Sequence, residues 1–221
     1  MTPMTWAEIQ PLLWQASIET GYMVAVSSAL TAVGGLLLGV LLVLTGRGGL
    51  LATRPVNLVL GILINIGRSL PFIILLVAII PFTRALVGTT IGTEAAIVPL
   101  TVAAIPFFAR IVETAIREVD RDVIAAARAM GASRTEIVFK VLLREARPGL
   151  VAGLTITVIA LIGYSAMAGT VGGGGLGDLA IRYGYQRFEN TVMVATVVLL
   201  VVFVQLIQSL GDLIVRWLSR K

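Results

Sequence analysis

The sequence contains neither cysteine nor histidine, and each absence excludes a kind of chemistry. Without cysteine the chain has no disulfide, no thiolate metal site and no thiol nucleophile. Without histidine it lacks the commonest metal ligand and a frequent general base. The phosphate-loop pattern G-x-x-x-x-G-K-[ST] does not occur either, so the usual cradle for ATP is missing. We therefore do not expect an enzyme, and we expect no metal or cofactor on this chain.

Charge is also scarce, at 13% of residues against 57% hydrophobic, whereas a soluble domain has roughly 25% charged residues. Apolar runs of about twenty residues recur along the chain, and each is long enough to cross about 30 Å of hydrocarbon. These features predict an all-α integral membrane protein. The net charge of +5 does not indicate a nucleic-acid partner, because most cations lie in loops beside apolar runs, where membrane topology explains them.

Five apolar runs predict five transmembrane helices. They lie near residues 21–45, 57–80, 94–112, 150–170 and 191–214.

The positions of the 17 Lys and Arg residues predict the orientation of these helices. An odd number of spans places the two termini on opposite sides, and cytoplasmic loops carry the excess of positive charge. Most of the cations share one side if the N-terminus is outside and the C-terminus inside. We therefore expect a periplasmic or interfacial segment at 1–19, a membrane domain at 20–215 and a cytoplasmic basic tail at 216–221. Trp6 and Trp14 are expected to anchor the first segment at the membrane surface.

Residues 110–147 interrupt the apolar pattern with a charged, helix-forming segment. Asp120 or Asp122 is placed to cap a helix over the alanine-rich stretch that follows, and Gly131 is placed to end it. Ser133-x-x-Glu136 is a capping box that predicts a second helix, and we expect Pro148-Gly149 to close that helix before the fourth span. Its apolar side chains, and the exposed Ala–Met face before it, need a covering surface. That surface is either the protein's own spans or a partner.

Two glycine patterns leave alternatives open. Gly35-x-x-x-Gly39 in the first span would let two helices approach closely, although glycine is also simply common in membrane helices. The run at 172–177 contains G-x-G-x-x-G, but it follows a membrane helix and opens no βαβ unit, so a dinucleotide site is not expected. We expect a tight, flexible periplasmic loop there, with a disordered linker as the alternative.

The central segment AAARAMGASRTEIVFKVLLREARPGL resembles the EAA loop of ABC-importer permeases. Ala126, Ala127 and Gly131 match the Glu-Ala-Ala-x-x-x-Gly pattern, and Val141 and Leu143 match its later apolar positions. Ala125 stands in place of the family glutamate and Arg144 in place of its proline. The polar contact made by that glutamate would then fall to a neighbouring acid, either Asp122 or Glu118.

Longer blocks extend the resemblance over nearly the whole chain, and they are most similar to methionine-importer permeases. They include NIGRSLPFIILLVAIIPFTRALVGTTIG, AAIVPLTVAAIPFFARIVE and GYSAMAGTVGGGGLGDLAIRYGY. The resemblance implies a type I importer permease fold with five spans, a homodimer in a bacterial inner membrane, and two ATPase subunits that bind the ATP and Mg²⁺. It also implies a periplasmic or lipid-anchored substrate-binding protein and import of methionine. Membrane lipid is the remaining expected partner.

The resemblance also implies which residues carry the function. The cytoplasmic coupling helix would comprise Asp122, Ala125, Ala126, Ala127, Arg128, Ala129, Met130, Gly131 and Ala132. The substrate pathway or gate would comprise Asn65, Ser69, Tyr164, Ser165 and Met167. A flexible thioether at Met167 suits both self-packing across a dimer axis and passage of a thioether substrate, while ordinary helix packing is the alternative.

Three other functions stay open at this stage. The first is import of another small amino acid or a related thioether compound, and the second is a non-transporting scaffold or passive channel subunit. The third is an ion-coupled carrier, which is disfavoured because Glu94 and Asp212 lie at span ends and the span centres hold no carboxylate.

Overall fold

The structure is a computed structural model that describes residues 4–219, and that part of the chain contains helices and no strand, as predicted. The α-helices are, in chain order, α1 (Trp6–Thr45), α2 (Arg54–Ser69), α3 (Phe72–Ala78), α4 (Ile80–Val87), α5 (Thr93–Arg117), α6 (Arg121–Ala129), α7 (Arg134–Glu136), α8 (Leu143–Glu145), α9 (Arg147–Gly169), α10 (Gly175–Leu179) and α11 (Asn190–Ser219). Two π-helical stretches, Ile137–Leu142 and Ala180–Tyr185, follow α7 and α10.

Four helices are long and apolar enough to cross a membrane, namely α1, α5, α9 and α11. The last three correspond to the helices predicted at 94–112, 150–170 and 191–214. A fifth candidate is the pair α2 and α3, whose axes are bent by 105° at the break between them. The basic tail predicted at 216–221 is helical up to Ser219 as the end of α11, and Arg220 and Lys221 lie outside the described residues.

The second span, expected near 57–80, is divided into α2 and α3 by a break at Leu70 and Pro71. Leu70 has ψ 126° and Pro71 has ψ 133°, so the chain is extended at both residues. Proline has no backbone N–H, and its ring disfavours the helical conformation at the residue before it. A second interruption at Ile79 separates α3 from α4, which has a proline in its first turn. The break turns Phe72 into the core, where it is buried.

The helix that contains the first predicted span, 21–45, begins earlier, at Trp6. The backbone N–H of Thr5 donates to the carboxylate of Glu8 across 2.8 Å, which satisfies one of the free N–H groups near the start of α1. Residues 6–19 therefore form the same helix as the first span. Trp6 and Trp14 are both exposed on it, and their role as membrane anchors stays a prediction.

Close packing of α1 on α5 forms the centre of the bundle. A Cβ added to Gly39 would lie 2.5 Å from Cβ of Val112, and one added to Gly35 would lie 2.8 Å from the ring of Phe108. Both distances are too short for real atoms, so the two glycines let the helices touch. Of the two interpretations of Gly35-x-x-x-Gly39, the structure supports close approach.

The glycine-rich run at 172–177 forms a tight turn, as predicted, and its last residues begin the short helix α10, which was not predicted. Gly174 and Gly175 have φ of +78° and +74°, values that favour glycine. The backbone N–H of Gly175 donates to the carboxylate of Glu19 at 2.8 Å, and the N–H of Leu176 donates to the hydroxyl of Thr20 at 2.8 Å. These two α1 side chains fix the start of α10.

Pro148 and Gly149 begin a helix instead of ending one. They lie in the first turn of α9, where proline is tolerated because the first N–H groups have no acceptor within the helix. The helix that starts at Arg134 ends at Glu145, and only Ala146 separates it from α9.

Candidate coupling segment and transport pathway

The segment from Asp120 to Ala132 forms α6 and its two caps. The carboxylate of Asp120 accepts the backbone N–H of Asp122 at 2.9 Å, which confirms a cap at the predicted position. At the other end Gly131 has φ +82°, and the N–H of Ala132 donates to the carbonyl of Ala127 at 3.0 Å. This is a glycine-ended helix of the Schellman type. The predicted helix and its glycine break are therefore confirmed.

One side of α6 packs on the bundle and the other is exposed. Ala127 is buried, and together with Ile124 it joins an apolar cluster that includes Ile116 and Ile137. The opposite side presents exposed positions, of which Met130 is 83% exposed. The exposed members of the predicted coupling set are Asp122, Ala125, Ala126, Arg128, Ala129, Met130 and Gly131, while Ala132 is half-buried. The segment is thus fixed by its own spans and still leaves an Ala–Met face uncovered.

A charged capping box starts the next helix. The hydroxyl of Ser133 accepts the N–H of Glu136 at 3.3 Å, and the Glu136 carboxylate accepts the N–H of Ser133 at 3.0 Å. Lys140 donates to the same carboxylate at 2.8 Å. The hydrogen bond from Lys140, followed by those from Ser133, lowers the pKa of Glu136 from 4.5 to about 2. The box holds the turn after Gly131 in one conformation.

A buried carboxylate joins α2 to the end of α5, and sequence analysis missed it as a site. Glu113 is only 7% exposed and pairs with Arg110 and with Arg117, whose Nη2 lies 2.8 Å away. Arg110 also donates to the side-chain oxygen of Asn65 on α2 at 2.8 Å. The three charges are three and four residues apart on one helix, a spacing that brings side chains together, so the spacing was a usable signal.

The five predicted pathway residues fall into two groups. Asn65 and Ser69 are both exposed on α2, and the Ser69 hydroxyl donates to the Asn65 carbonyl at 2.8 Å. On α9, Tyr164 stacks on Phe72 with ring centres 4.6 Å apart, while Ser165 is buried and donates to the carbonyl of Ile162.

Met167 is exposed on another side of α9. It shares that side with Gly163 and Ile156, because the three are spaced four and seven residues apart. The break at Pro71 brings the Phe72 ring to Tyr164, so α3 of the bent helix pair packs against α9. Met167 lies on a different, exposed side of α9.

This arrangement of helices can be compared with known proteins. Residues 35–221 match the family described as "Binding-protein-dependent transport system inner membrane component". The chain belongs to this family. It is accordingly a multi-pass membrane component of a transport system, and its all-α fold is that of type I ABC importer permeases.

Three curated relatives align with this chain over most of their own length and most of its length. The chain is 55% identical over 205 residues to the probable D-methionine transport system permease protein MetI of Vibrio cholerae, covering 93% of this chain and 91% of the relative. It is 46% identical over 209 residues to the methionine import system permease protein MetP of Bacillus subtilis, covering 95% and 94%. The MetI protein of Escherichia coli K12 is 52% identical over 167 residues, covering 76% and 75%.

Solved structures agree with the sequence comparisons. The chain superposes with a TM-score of 0.94 and 52% identity on a chain of the MetNI methionine ABC transporter in inward-facing conformations, covering 97% of this chain and 99% of that one. An amino acid ABC transporter with histidines matches with a TM-score of 0.77 at 21% identity, covering 98% and 99%, which shows the fold alone.

Proposed function

We propose that the chain is the permease subunit of an importer that carries methionine, as the D- or L-isomer or both, across the bacterial inner membrane. The names of the relatives in Vibrio cholerae, Escherichia coli and Bacillus subtilis support methionine as the substrate. ATP hydrolysis belongs to a partner subunit, because this chain has no phosphate loop. Import of another small amino acid or of a related thioether compound is the alternative within the same class.

The exposed Ala–Met face of α6 is the observation that supports an external motor most directly. The helix is anchored on the bundle through Ala127 and carries Met130 almost fully exposed. An apolar face on a rigid, capped helix is suited to a partner protein. The proposed sequence of events is that ATP binding closes two ATPase subunits, which draws together the coupling helices of two permease copies and opens the pathway outward. Hydrolysis of ATP and release of its products then return the transporter to its starting state.

The proposed topology has five spans with the N-terminus outside and the C-terminus inside. The bent pair α2 and α3 then counts as one span together with α1, α5, α9 and α11. The distribution of the cations supports this orientation, because it gathers the segment from Arg110 to Arg147 with Arg47, Arg54 and the C-terminal cations on one side.

Two copies of the chain are proposed to form the pathway between them. The exposed side of α9 that carries Ile156, Gly163 and Met167 is the surface proposed to meet its counterpart, with Asn65 and Ser69 offering polar groups along the route. A periplasmic or lipid-anchored binding protein would deliver the substrate to the outer end, and membrane lipid would surround the assembly.

Uptake of labelled methionine in a strain that lacks its own methionine importers tests the proposal. The chain is expressed with its ATPase and binding protein, and D- and L-methionine are supplied in separate arms. We expect uptake that stops on ATP depletion and is absent when the chain is omitted. If neither isomer of methionine is taken up but another labelled amino acid is, the alternative substrate is favoured. Uptake that survives ATP depletion and collapses with the proton gradient would indicate an ion-coupled carrier instead.

A further inference from the structure

A cavity of about 390 Å³ lies where the turn after α1 meets the end of α5 and the start of α6. Its lining includes four arginines, Arg47, Arg117, Arg121 and Arg128, and no acidic side chain of the described residues. The rest of the lining is largely apolar and includes Leu50 and Ile124. We call it the arginine cavity.

Little within residues 4–219 neutralises these arginines. Arg117 donates to Glu113 through Nε and Nη2, at 3.0 and 2.8 Å. Arg47, Arg121 and Arg128 form no ion pair with any described residue. The nearby carboxylate of Asp120, which caps α6 by accepting the N–H of Asp122, forms no ion pair with them either. The cavity therefore concentrates positive charge against an apolar wall.

The backbone next to Arg47 is folded into a tight turn. Gly48 has φ +79° and a Cβ on Gly49 would lie 2.5 Å from the carbonyl oxygen of Val43, so the turn after α1 folds tightly back on that helix. The N–H of Leu51 donates to the carbonyl of Leu44 at 2.9 Å and closes the turn. This turn brings Arg47 to the cavity that Arg121 and Arg128 of α6 also line.

The arginines of α6 point away from its Ala–Met face. Arg121 and Arg128 are seven residues apart with Ile124 between them, so the three share one side of the helix. At 100° per residue, Met130 and Ala126 fall on the opposite side. A protein that covers the Ala–Met face therefore leaves the arginine cavity to another ligand.

We propose that the arginine cavity binds the phosphate of an anionic phospholipid, with the adjoining apolar wall against the lipid chain. Guanidinium groups bind phosphate oxygens through paired hydrogen bonds, and basic pockets between membrane helices are suited to anionic headgroups. The cavity also lies at the end of two candidate spans, α1 and α5, where headgroups are found. A bound lipid would link the turn after α1 to the coupling segment.

Native mass spectrometry of the full-length chain in detergent tests the proposal with dioleoyl phosphatidylglycerol and dioleoyl phosphatidylcholine. We expect retention of phosphatidylglycerol over phosphatidylcholine, and a loss of affinity of about tenfold or more in Arg47→Gln/Arg121→Gln/Arg128→Gln. The matched control is Arg134→Gln/Arg144→Gln/Arg147→Gln, which removes three exposed arginines outside the cavity and should change affinity less than twofold. Arg47→Lys/Arg121→Lys/Arg128→Lys keeps the charge but not the paired hydrogen bonds, so we expect it to lose less affinity than the glutamine triple. Unchanged Tm values in the three triple variants show that the fold is intact.

Three results would overturn the proposal. The first is an equal loss of affinity for phosphatidylglycerol in the two triple glutamine variants, which would mean that binding depends on net charge alone. The second is retention of both lipids to the same extent. The third is binding of inorganic phosphate without retention of phosphatidylglycerol, which would assign the cavity to a soluble anion.

Discussion

Arg110 on α5 donates a hydrogen bond to the side-chain oxygen of Asn65 on α2 across 2.8 Å. The same guanidinium pairs with Glu113, which also holds Arg117 near the end of α5. A residue on the proposed pathway is therefore in direct polar contact with the end of the helix that leads into the coupling segment.

Removing the Glu113 carboxylate should destabilise this end of the bundle. In Glu113→Gln, Arg110 and Arg117 lose their only charged partner among the described residues, while Arg110 keeps its hydrogen bond to Asn65. A broken buried pair costs several kcal/mol. Because Arg117 is half exposed and solvent screens its charge, we expect a smaller loss of about 1–2 kcal/mol. Thermal unfolding of the purified chain measures it as a lower Tm. The exposed Glu145→Gln is the control, and equal Tm values in both variants would contradict the role assigned to Glu113.

Gly39 should not tolerate a methyl group, whereas Gly21 on the same helix should. A Cβ on Gly39 would meet Val112 and the carbonyl oxygen of Ala109 at 2.5 and 2.6 Å, while one on Gly21 has nothing within 4 Å. We expect Gly39→Ala to lower stability by about 1–3 kcal/mol through overpacking, and Gly21→Ala to be neutral or slightly stabilising. Unfolding curves of the two variants, measured under the same conditions, give the change in stability of each. A tolerated Gly39→Ala would mean that α1 and α5 pack less closely than described.

Sequence patterns predicted the long helices better than the breaks between them. The apolar runs that became α5, α9 and α11 were recognised because length and hydropathy suffice for them. Length and hydropathy also placed a span at 57–80, and Pro71 was the local signal for the break that divides it into α2 and α3, but the 105° bend between the two helices could not be predicted from the sequence. The Thr5–Glu8 box was a similar signal for the start of α1.

Long-range contacts could not be predicted from spacing. The bond from Gly175 to Glu19 joins residues 156 apart, and no local pattern indicates which side chain receives that N–H. The Glu113 cluster is different, because its members share one helix face and were readable at three- and four-residue intervals. In the candidate site, the caps at Asp120, Gly131 and Ser133 were predicted because each acts on neighbouring residues.

Acidification should dismantle the Ser133–Glu136 box only at very low pH. The pKa of Glu136 in the folded chain is about 2, below its ordinary 4.5. The ionised carboxylate therefore stabilises the turn above about 4.5, and this contribution is lost as the pH falls from there through about 2. Carboxyl chemical shifts of glutamate-labelled protein, assigned with Glu136→Gln, report the midpoint. Lys140→Met and Ser133→Ala should each raise it. An unshifted midpoint near 4.5 in the unmodified chain would exclude the box in solution.

The left-handed conformation at Gly131 should control attachment of the proposed ATPase. Its φ of +82° suits glycine, is tolerated by asparagine and is strained for alanine and most of all for valine. We expect the amount of ATPase that co-purifies to be highest with the unmodified chain and to fall progressively in Gly131→Asn, Gly131→Ala and Gly131→Val. Insertion of the chain into the membrane should be unchanged in all three variants. Recovery that is equal across the four proteins would contradict a role for this turn in docking.

Labelling of a single cysteine at position 130 tests the central claim most directly. The chain has no cysteine of its own, so Met130→Cys carries one thiol at a site that is 83% exposed. Phe188→Cys, at a site 82% exposed between α10 and α11, is the matched control. With a membrane-impermeant maleimide, position 130 should react only from the cytoplasmic side and should be protected by the ATPase, while position 188 should react only from outside. Reaction of position 130 from outside, or with no protection by the ATPase, would contradict the account.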